Sequence, residues 1–207
     1  MSVDVWLTFV IASTALLLIP GPTVLLVLSY AISQGRRVAL ATVAGVALGD
    51  FVAMTASLIG LGAMVLASAA LFTLLKWIGA AYLIYLGVGL FRGATRATLE
   101  PVDNVSRASA TSVFAHAAVV TALNPKSIVF FIAFVPQFID VKIAIFPQFA
   151  VLITTFVTLA AINALAYAVL ADRLRQRMAR PAVLVWLSKI GGGTLVAMGL
   201  ATAAFNR

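Results

Sequence analysis

Residues 5–33 read VWLTFVIASTALLLIPGPTVLLVLSYAIS, an uncharged run that is interrupted only by the segment Pro20-Gly21-Pro22. A helix that crosses a hydrocarbon layer of about 30 Å needs about 20 apolar residues, so this run is long enough to span a bilayer. Proline inside a helix removes a backbone hydrogen bond and kinks or breaks the helix. The run therefore predicts a membrane-spanning helix that is broken near its middle.

The whole chain has the composition of a membrane protein. Of its 207 residues, 63% are hydrophobic and only 10% are charged, and the mean hydropathy is +1.14. So little polar surface cannot cover a water-soluble globule of this size. No basic segment precedes the first apolar run, so we expect that run to be a span rather than a cleavable signal. The composition predicts an all-α polytopic membrane protein.

Charges, Gly/Pro pairs and small polar clusters divide the chain into six apolar spans. The spans lie near residues 5–33, 38–66, 70–91, 110–138, 144–171 and 182–204. The boundary with the weakest signal is the small-residue turn at 67–70, and without it the spans would number five.

The basic residues predict the orientation of these spans. Nine arginines lie in the segments that follow spans one, three and five, whereas the opposite segments hold only Lys76, Lys142 and Arg207. Because basic loops stay on the cytoplasmic side, we expect both termini outside, in the periplasm of a bacterium. We therefore interpret the basic residues behind the net charge of +8 as topology signals and not as a sign of binding to nucleic acid.

Two features suggest an internal duplication. Span three carries Gly79 and Gly87, span six carries Gly191 and Gly199 at the same interval, and both the first and fourth spans contain a proline break. Three-helix units in tandem enter the membrane from opposite sides, which gives two inverted repeats within one transport domain, 1–207. We assign repeat one to about 1–95, a cytoplasmic linker to about 96–108 and repeat two to about 109–207. Chance recurrence of glycine is the alternative reading.

The helix breaks are candidate binding positions. The first break is Pro20-Gly21-Pro22, followed by Thr23, and the second is Asn124-Pro125-Lys126. Each half-helix that starts at a break presents a partly positive N-terminus with unpaired N–H groups, which suits a substrate carboxylate. The alternative is a kink that serves packing alone.

Asp50 is the one acid inside a span. An aspartate at the centre of a membrane helix costs about 2.5–3.5 kcal/mol on insertion scales, so it should face a partner, a cavity or an ion. It could hold a substrate ammonium, carry the coupling proton, or do both in turn. Lys126 could neutralise Asp50, hold a carboxylate or reach for an interface, and Asn163 and Tyr167 lie one turn apart in span five, where a lining role fits.

Several classes of chemistry are excluded or disfavoured. The chain has no cysteine and only one histidine, His116, which we interpret as a packing residue, so no metal or cofactor site is predicted. The acids other than Asp50 lie outside the spans or at their ends, so no acid–base pair for an enzyme exists within the membrane. We interpret Gly45 and Gly49 as a close-packing face between helices. A metal-ion exporter and a non-transport scaffold subunit are the alternative functions.

The order and spacing of these motifs resemble those of the lysine exporter (LysE/RhtB) family of amino-acid efflux proteins over nearly the whole chain. The matching segments are Pro20-Gly21-Pro22, Gly35-Arg36-Arg37, Gly49-Asp50, the GAAYLIYLG stretch at 79–87, and Asn124-Pro125-Lys126. The resemblance implies secondary active export of an amino acid across the bacterial inner membrane, driven by the proton motive force or ion exchange.

We therefore expect an amino acid and the lipid bilayer as partners, and a homodimer is compatible with the sequence. The expected mechanism is alternating access, in which the two halves move around a site at the middle of the membrane. The predicted site consists of the residues at the two breaks, one acid and one amide: Pro20, Gly21, Pro22, Thr23, Asp50, Asn124, Pro125, Lys126 and Asn163.

Overall fold

The fold is known here from a computed structural model that describes residues 1–19, 21–34, 36–67, 109–140 and 142–171, together with isolated helical positions between 74 and 92 and between 185 and 200. These residues form helices and no strands, which confirms the all-α prediction for this part of the chain. The helices are α1 (Val3–Leu18), α2 (Pro22–Gln34), α3 (Arg36–Ala67), α4 (Ala110–Ala122), α5 (Pro125–Ala133), a 3-10 helix (Val135–Phe138) and α6 (Ile145–Val169).

Four predicted spans correspond to these helices. Within α3 the segment Val38–Gly60 is long and apolar enough to cross a membrane, and so is α6. The helices α1 and α2 form a pair bent by 60°, and α4 and α5 with the 3-10 helix form a second pair bent by 44°. The breaks predicted in the first and fourth spans are therefore real bends. The third and sixth spans, and the turn after residue 67, lie largely outside the described residues.

The helix starts follow from local capping chemistry. Ser2 and Ser109 precede α1 and α4, and their hydroxyl oxygens accept hydrogen bonds from Val5 N and Ser112 N. Asn124 caps α5 in the same way, with Pro125 at the first helical position, where its missing N–H costs no helical bond. These caps fix the residue at which each of the three helices begins.

Helix α3 lies at the centre of the described bundle and contacts α2, α4, α5 and α6. Its contact with α4 is close because two glycines face α4. A Cβ atom at Gly49 would lie 2.6 Å from Ala118 O and 2.7 Å from Thr121 Cβ, and one at Gly45 would collide with Phe114 O. The predicted packing role of Gly45 and Gly49 is confirmed, and the next residue, Asp50, is thereby held near α4.

Two apolar clusters occur among the described residues. The larger one is aromatic, and its rings come from α1, α5 and α6, with Phe9, Phe130, Phe131 and Phe156 all fully buried. Phe130 and Phe131 therefore pack inside the protein, and neither faces lipid. The smaller cluster joins α2, α3, α4 and α6 through Val27, Val46, Ala117 and Ala164.

The third and sixth spans meet at two of their described glycines. A Cβ atom at Gly87 would lie 2.6 Å from Gly192 O, and one at Gly192 would lie 2.5 Å from Gly87 O. The two backbones therefore touch at this point. Three of the four glycines that suggested the duplication, Gly79, Gly191 and Gly199, lie outside the described residues.

Candidate functional site

The break in the first span leaves carbonyl oxygens of α1 without helical partners. In an α-helix the carbonyl of residue i−4 accepts from the N–H of residue i. Proline has no N–H, so Pro20 cannot pair with Leu16 O and Pro22 cannot pair with Leu18 O. Leu16 O accepts instead from Ile19 N at 3.2 Å. Unpaired carbonyls are costly in a membrane, so other groups must complete the pairing of this segment.

Lys126 supplies one of these partners. It lies in the first turn of α5, and its Nζ donates to Leu16 O at 3.1 Å and to Ile19 O at 3.0 Å. The lysine ammonium thus caps the C-terminus of α1, where the helix dipole favours a positive charge. A Cβ atom at Gly21 would lie 3.4 Å from Lys126 Nζ, an ordinary van der Waals separation, so Gly21 adjoins the ammonium.

Two side chains of α6 supply the other partners. Asn163 Nδ2 donates to Leu17 O at 3.1 Å, and the Tyr167 hydroxyl donates to Leu18 O at 3.2 Å. The four carbonyls at residues 16–19 therefore all receive donors from the second half of the chain. The first break is held open by side chains from the other half.

The second break is satisfied mostly by groups of its own segment. Pro125 has no N–H to donate to Thr121 O, and this carbonyl accepts from Asn124 N at 3.1 Å instead. Asn124 Oδ1 accepts from Lys126 N at 3.1 Å, and its Nδ2 donates to Thr23 Oγ1 at the same distance. One N–H group that we expected to be free for a carboxylate is thus already capped by Asn124.

Asp50 faces the same region from α3 and is only 2% exposed. Its charge and that of Lys126 are close enough to interact. Among the described residues, however, no lysine or arginine nitrogen lies within the 4.0 Å of an acid oxygen that defines an ion pair. Lys126 is bound to carbonyls and makes no direct salt bridge with Asp50.

These groups line one small cavity of about 30 Å³ between the two apolar clusters. Its walls include Val27 and Val46 from the smaller cluster and Leu16 and Ala160 from the larger one. A single buried water needs about 10–15 Å³, so the cavity has room for water and not for an amino acid. Its polar lining is Thr23, Asp50, Asn124, Lys126, Ser127, Asn163 and Tyr167. The described conformation is closed around this site.

The cavity brings together five of the nine residues in the predicted site. They are Thr23, Asp50, Asn124, Lys126 and Asn163. Gly21 adjoins Lys126, whereas Pro22 and Pro125 are exposed at the starts of α2 and α5 and shape the breaks without lining the cavity. Pro20 lies outside the described residues.

The nine-residue predicted site omitted the α1 carbonyls. It also omitted Tyr167, although a lining role beside Asn163 was expected for this residue. Two of these carbonyls could have been found from the sequence. Leu16 and Leu18 lie four residues before Pro20 and Pro22, so their carbonyls lose the usual helical N–H donor. Tyr167 was also detectable, because Ala160, Asn163, Ala164 and Tyr167 are spaced as one helix face.

His116 is not part of the cavity lining. Its Nδ1 lies 2.8 Å from the Tyr30 hydroxyl, and the two rings meet edge to face at 6.0 Å between α2 and α4. The contact fits the packing role expected of this histidine. Within the described ranges, no group of three or more metal-ligating side chains comes together.

Comparison with known proteins gives a consistent result. The family model described as LysE type translocator matches residues 14–204. An uncharacterized membrane protein of Vibrio cholerae serotype O1 is 36% identical over 203 residues, 98% of each chain. The homoserine/homoserine lactone efflux protein of Salmonella typhimurium is 32% identical over 99% of this chain and 98% of its own. The leucine efflux protein of Klebsiella pneumoniae is 30% identical over 66% of this chain and 64% of its own. No solved structure matches the chain.

Proposed function

The chain belongs to the LysE type translocator family, and from that premise we propose that it is a secondary active exporter of amino acids or close analogues across the bacterial inner membrane. The efflux proteins named for homoserine, homoserine lactone and leucine support this substrate class. The proton motive force or ion exchange drives the export. We propose no enzymatic activity and no resident cofactor.

The observation that carries the proposal is the closed cavity at the two helix breaks. It presents an acid, Asp50, and an ammonium, Lys126, from opposite halves of the chain within an otherwise apolar bundle. An amino acid carries the complementary pair of charges at neutral pH. A buried carboxylate that no ion pair satisfies is costly in a membrane, so a functional demand explains its presence better than packing does.

In the proposed pose, the substrate ammonium pairs with Asp50. The substrate carboxylate binds the Lys126 ammonium and the N-termini of the half-helices near residues 21–23 and 127. Thr23, Asn124 and Asn163 complete the polar lining, and the prolines at positions 20, 22 and 125 hold the breaks open. Homoserine and its lactone both carry a primary ammonium, but only homoserine has a free carboxylate. A relative named for both substrates therefore favours the ammonium as the group that must be recognised.

The proposed mechanism is alternating access between two inverted halves, with both termini in the periplasm. The hydrogen bonds that hold the break between α1 and α2 run from one half to the other, from Lys126, Asn163 and Tyr167 to α1. Relative motion of the halves would therefore open and close the cavity directly. Asp50 also serves as the group that binds the coupling proton, so that proton binding and substrate binding exclude each other at one carboxylate.

The test is efflux from bacterial cells that overproduce the protein, loaded in turn with homoserine, leucine, threonine, lysine and their toxic analogues. The intracellular level of at least one of them should fall, and tolerance to its analogue should rise, relative to cells with an empty vector. If no amino acid responds but tolerance to divalent metals rises, a metal-ion exporter replaces this proposal. If neither responds although the protein is present in the membrane, a scaffold subunit replaces it.

A further inference from the structure

The C-terminus of α1 has the features of a cation site. Its last four carbonyls, at residues 16–19, accept from side chains of the second half of the chain and carry the negative end of the helix dipole. Leu16 and Leu17 line the same cavity as the buried Asp50. In broken-helix transporters, such C-terminal ends and unwound carbonyls hold cations as a general rule. In this protein a cation is already present there, because the Lys126 ammonium donates to Leu16 O and Ile19 O.

The geometry of that contact identifies the chemistry of the site. The two separations, 3.1 and 3.0 Å, are ordinary for N–H···O hydrogen bonds, and they use two of the three protons of the ammonium. No third acceptor for Lys126 Nζ occurs among the described residues, and Asp50 shares the cavity. The arrangement suits a group with several N–H donors on one charged nitrogen.

We propose that the carbonyl oxygens of Leu16 and Ile19 form a binding site for a primary ammonium group, which Lys126 occupies as a tethered ligand in the closed conformation and which the substrate ammonium occupies when the cavity opens. The occupation of this site by Lys126 concerns the protein alone. The occupation of this site by the substrate ammonium rests on the proposed export of amino acids.

The exchange follows from the need to keep the carbonyls paired. The substrate carboxylate attracts the Lys126 ammonium into a charge-assisted hydrogen bond, which withdraws Lys126 from α1. The substrate ammonium then donates to the same carbonyls and to Asp50. One ammonium replaces another, so no carbonyl of the break is left unpaired in the membrane at either stage.

The site can be tested without measuring transport. Lys126→Ala retains Cβ and removes three carbons and the ammonium, which together have the size and charge of n-propylammonium. Adding propylammonium to the purified variant should raise its thermal unfolding midpoint by about 2–4 °C at roughly five times the dissociation constant. The wild-type protein and Lys142→Ala, which removes an exposed lysine outside the cavity, should show no such rise.

The controls separate an ammonium site from an empty space. Neutral 1-propanol tests filling of the space alone, tetramethylammonium tests charge without N–H donors, and potassium tests a simple metal cation. Lys126→Met fills the space and should not respond to propylammonium. If propylammonium has no effect on folded Lys126→Ala, or if any of the three control compounds stabilises it equally, the ammonium site is refuted. If the variant accumulates only when propylammonium is present during expression, the site is supported, and if it fails to accumulate even then, the site is refuted.

The binding of the substrate ammonium to this site is tested on the wild-type protein. The amino acid that gives the strongest efflux is compared with its N-acetyl derivative, which lacks the ammonium, and we expect export of the derivative to be lost. Equal export of both would overturn the exchange and the pairing of the substrate ammonium with Asp50, while leaving amino-acid export itself intact. An absence of amino-acid export together with a positive propylammonium result would overturn the proposed function and leave the site intact.

Discussion

Replacing Gly49 by alanine should push α3 and α4 apart at the level of Asp50. The added Cβ would lie 2.6 Å from Ala118 O and 2.7 Å from Thr121 Cβ, whereas carbon atoms in contact prefer about 3.5–4.0 Å. The deficit is about 1 Å, and two of the three nearest atoms belong to the backbone of α4, which no rotamer change can move. Overpacking of this kind costs about 1–3 kcal/mol.

Gly60→Ala is the matched control because it makes the same change in the same helix with nothing within 4 Å of the new atom. Alanine also favours the helix over glycine by about 0.5–1 kcal/mol, and this gain is common to both variants. The difference between them therefore isolates the overpacking cost. At about 3 °C per kcal/mol for a chain of this length, the unfolding midpoint of Gly49→Ala should lie about 3–9 °C below that of Gly60→Ala.

The assay is thermal unfolding of both purified variants in the same detergent, followed by efflux at matched protein levels. We expect Gly49→Ala to be less stable and to export less, because the displacement moves the neighbouring Asp50. Equal midpoints for the two variants would show that α3 and α4 do not approach as closely as described, and the position of Asp50 against the cavity would have to be abandoned with that contact.

Two other predictions concern orientation and the first break. Because the chain has no native cysteine, single cysteines at positions 94, 141 and 179 can be probed in intact cells with a membrane-impermeant thiol reagent; position 141 should be labelled and the other two protected, and the reverse pattern would invert the topology. Tyr167→Phe removes the donor to Leu18 O, which should cost about 1–3 kcal/mol and lower the unfolding midpoint by about 3–9 °C; an unchanged midpoint would mean that water or another group pairs that carbonyl.

Much of the described fold was predictable because strong local signals determine it. Long apolar runs set the length of α3 and α6, and the prolines at positions 20, 22 and 125 determine where the two spans bend. Gly45 and Gly49 are spaced one helical turn apart beside an acid, which predicts close packing of that helix face. Each of these features can be recognised within a single helix from the spacing of its residues.

The partners across the cavity were harder to predict because they depend on how the two halves meet. Lys126 next to a break was consistent with a salt bridge to Asp50, with carboxylate binding or with an interfacial position, and sequence spacing cannot choose among contacts that are more than 70 residues apart. The structure has Lys126 on the carbonyls of Leu16 and Ile19 instead, at the end of α1 where Pro20 removes the i+4 donor to Leu16 O. The backbone acceptors carry no side-chain signature, and only counting unpaired carbonyls finds them.

The central claim is that the Asp50 carboxylate binds the substrate ammonium and the coupling proton, and Asp50→Asn tests it most directly. The variant keeps the side-chain volume, and Lys126 retains its two carbonyl partners, so we expect it to fold. Asp140→Asn, which changes an exposed acid outside the cavity and keeps the Oδ1 that accepts from Lys142 N, is the control.

Removing one partner of a buried charge pair costs about 2–5 kcal/mol, so binding of the exported amino acid to purified Asp50→Asn should weaken by about 30-fold or more. Export against a gradient should stop, while Asp140→Asn should behave as the wild type does. Retained binding with lost export would restrict Asp50 to carrying the proton. Wild-type export by a folded, well-expressed Asp50→Asn protein would contradict the account.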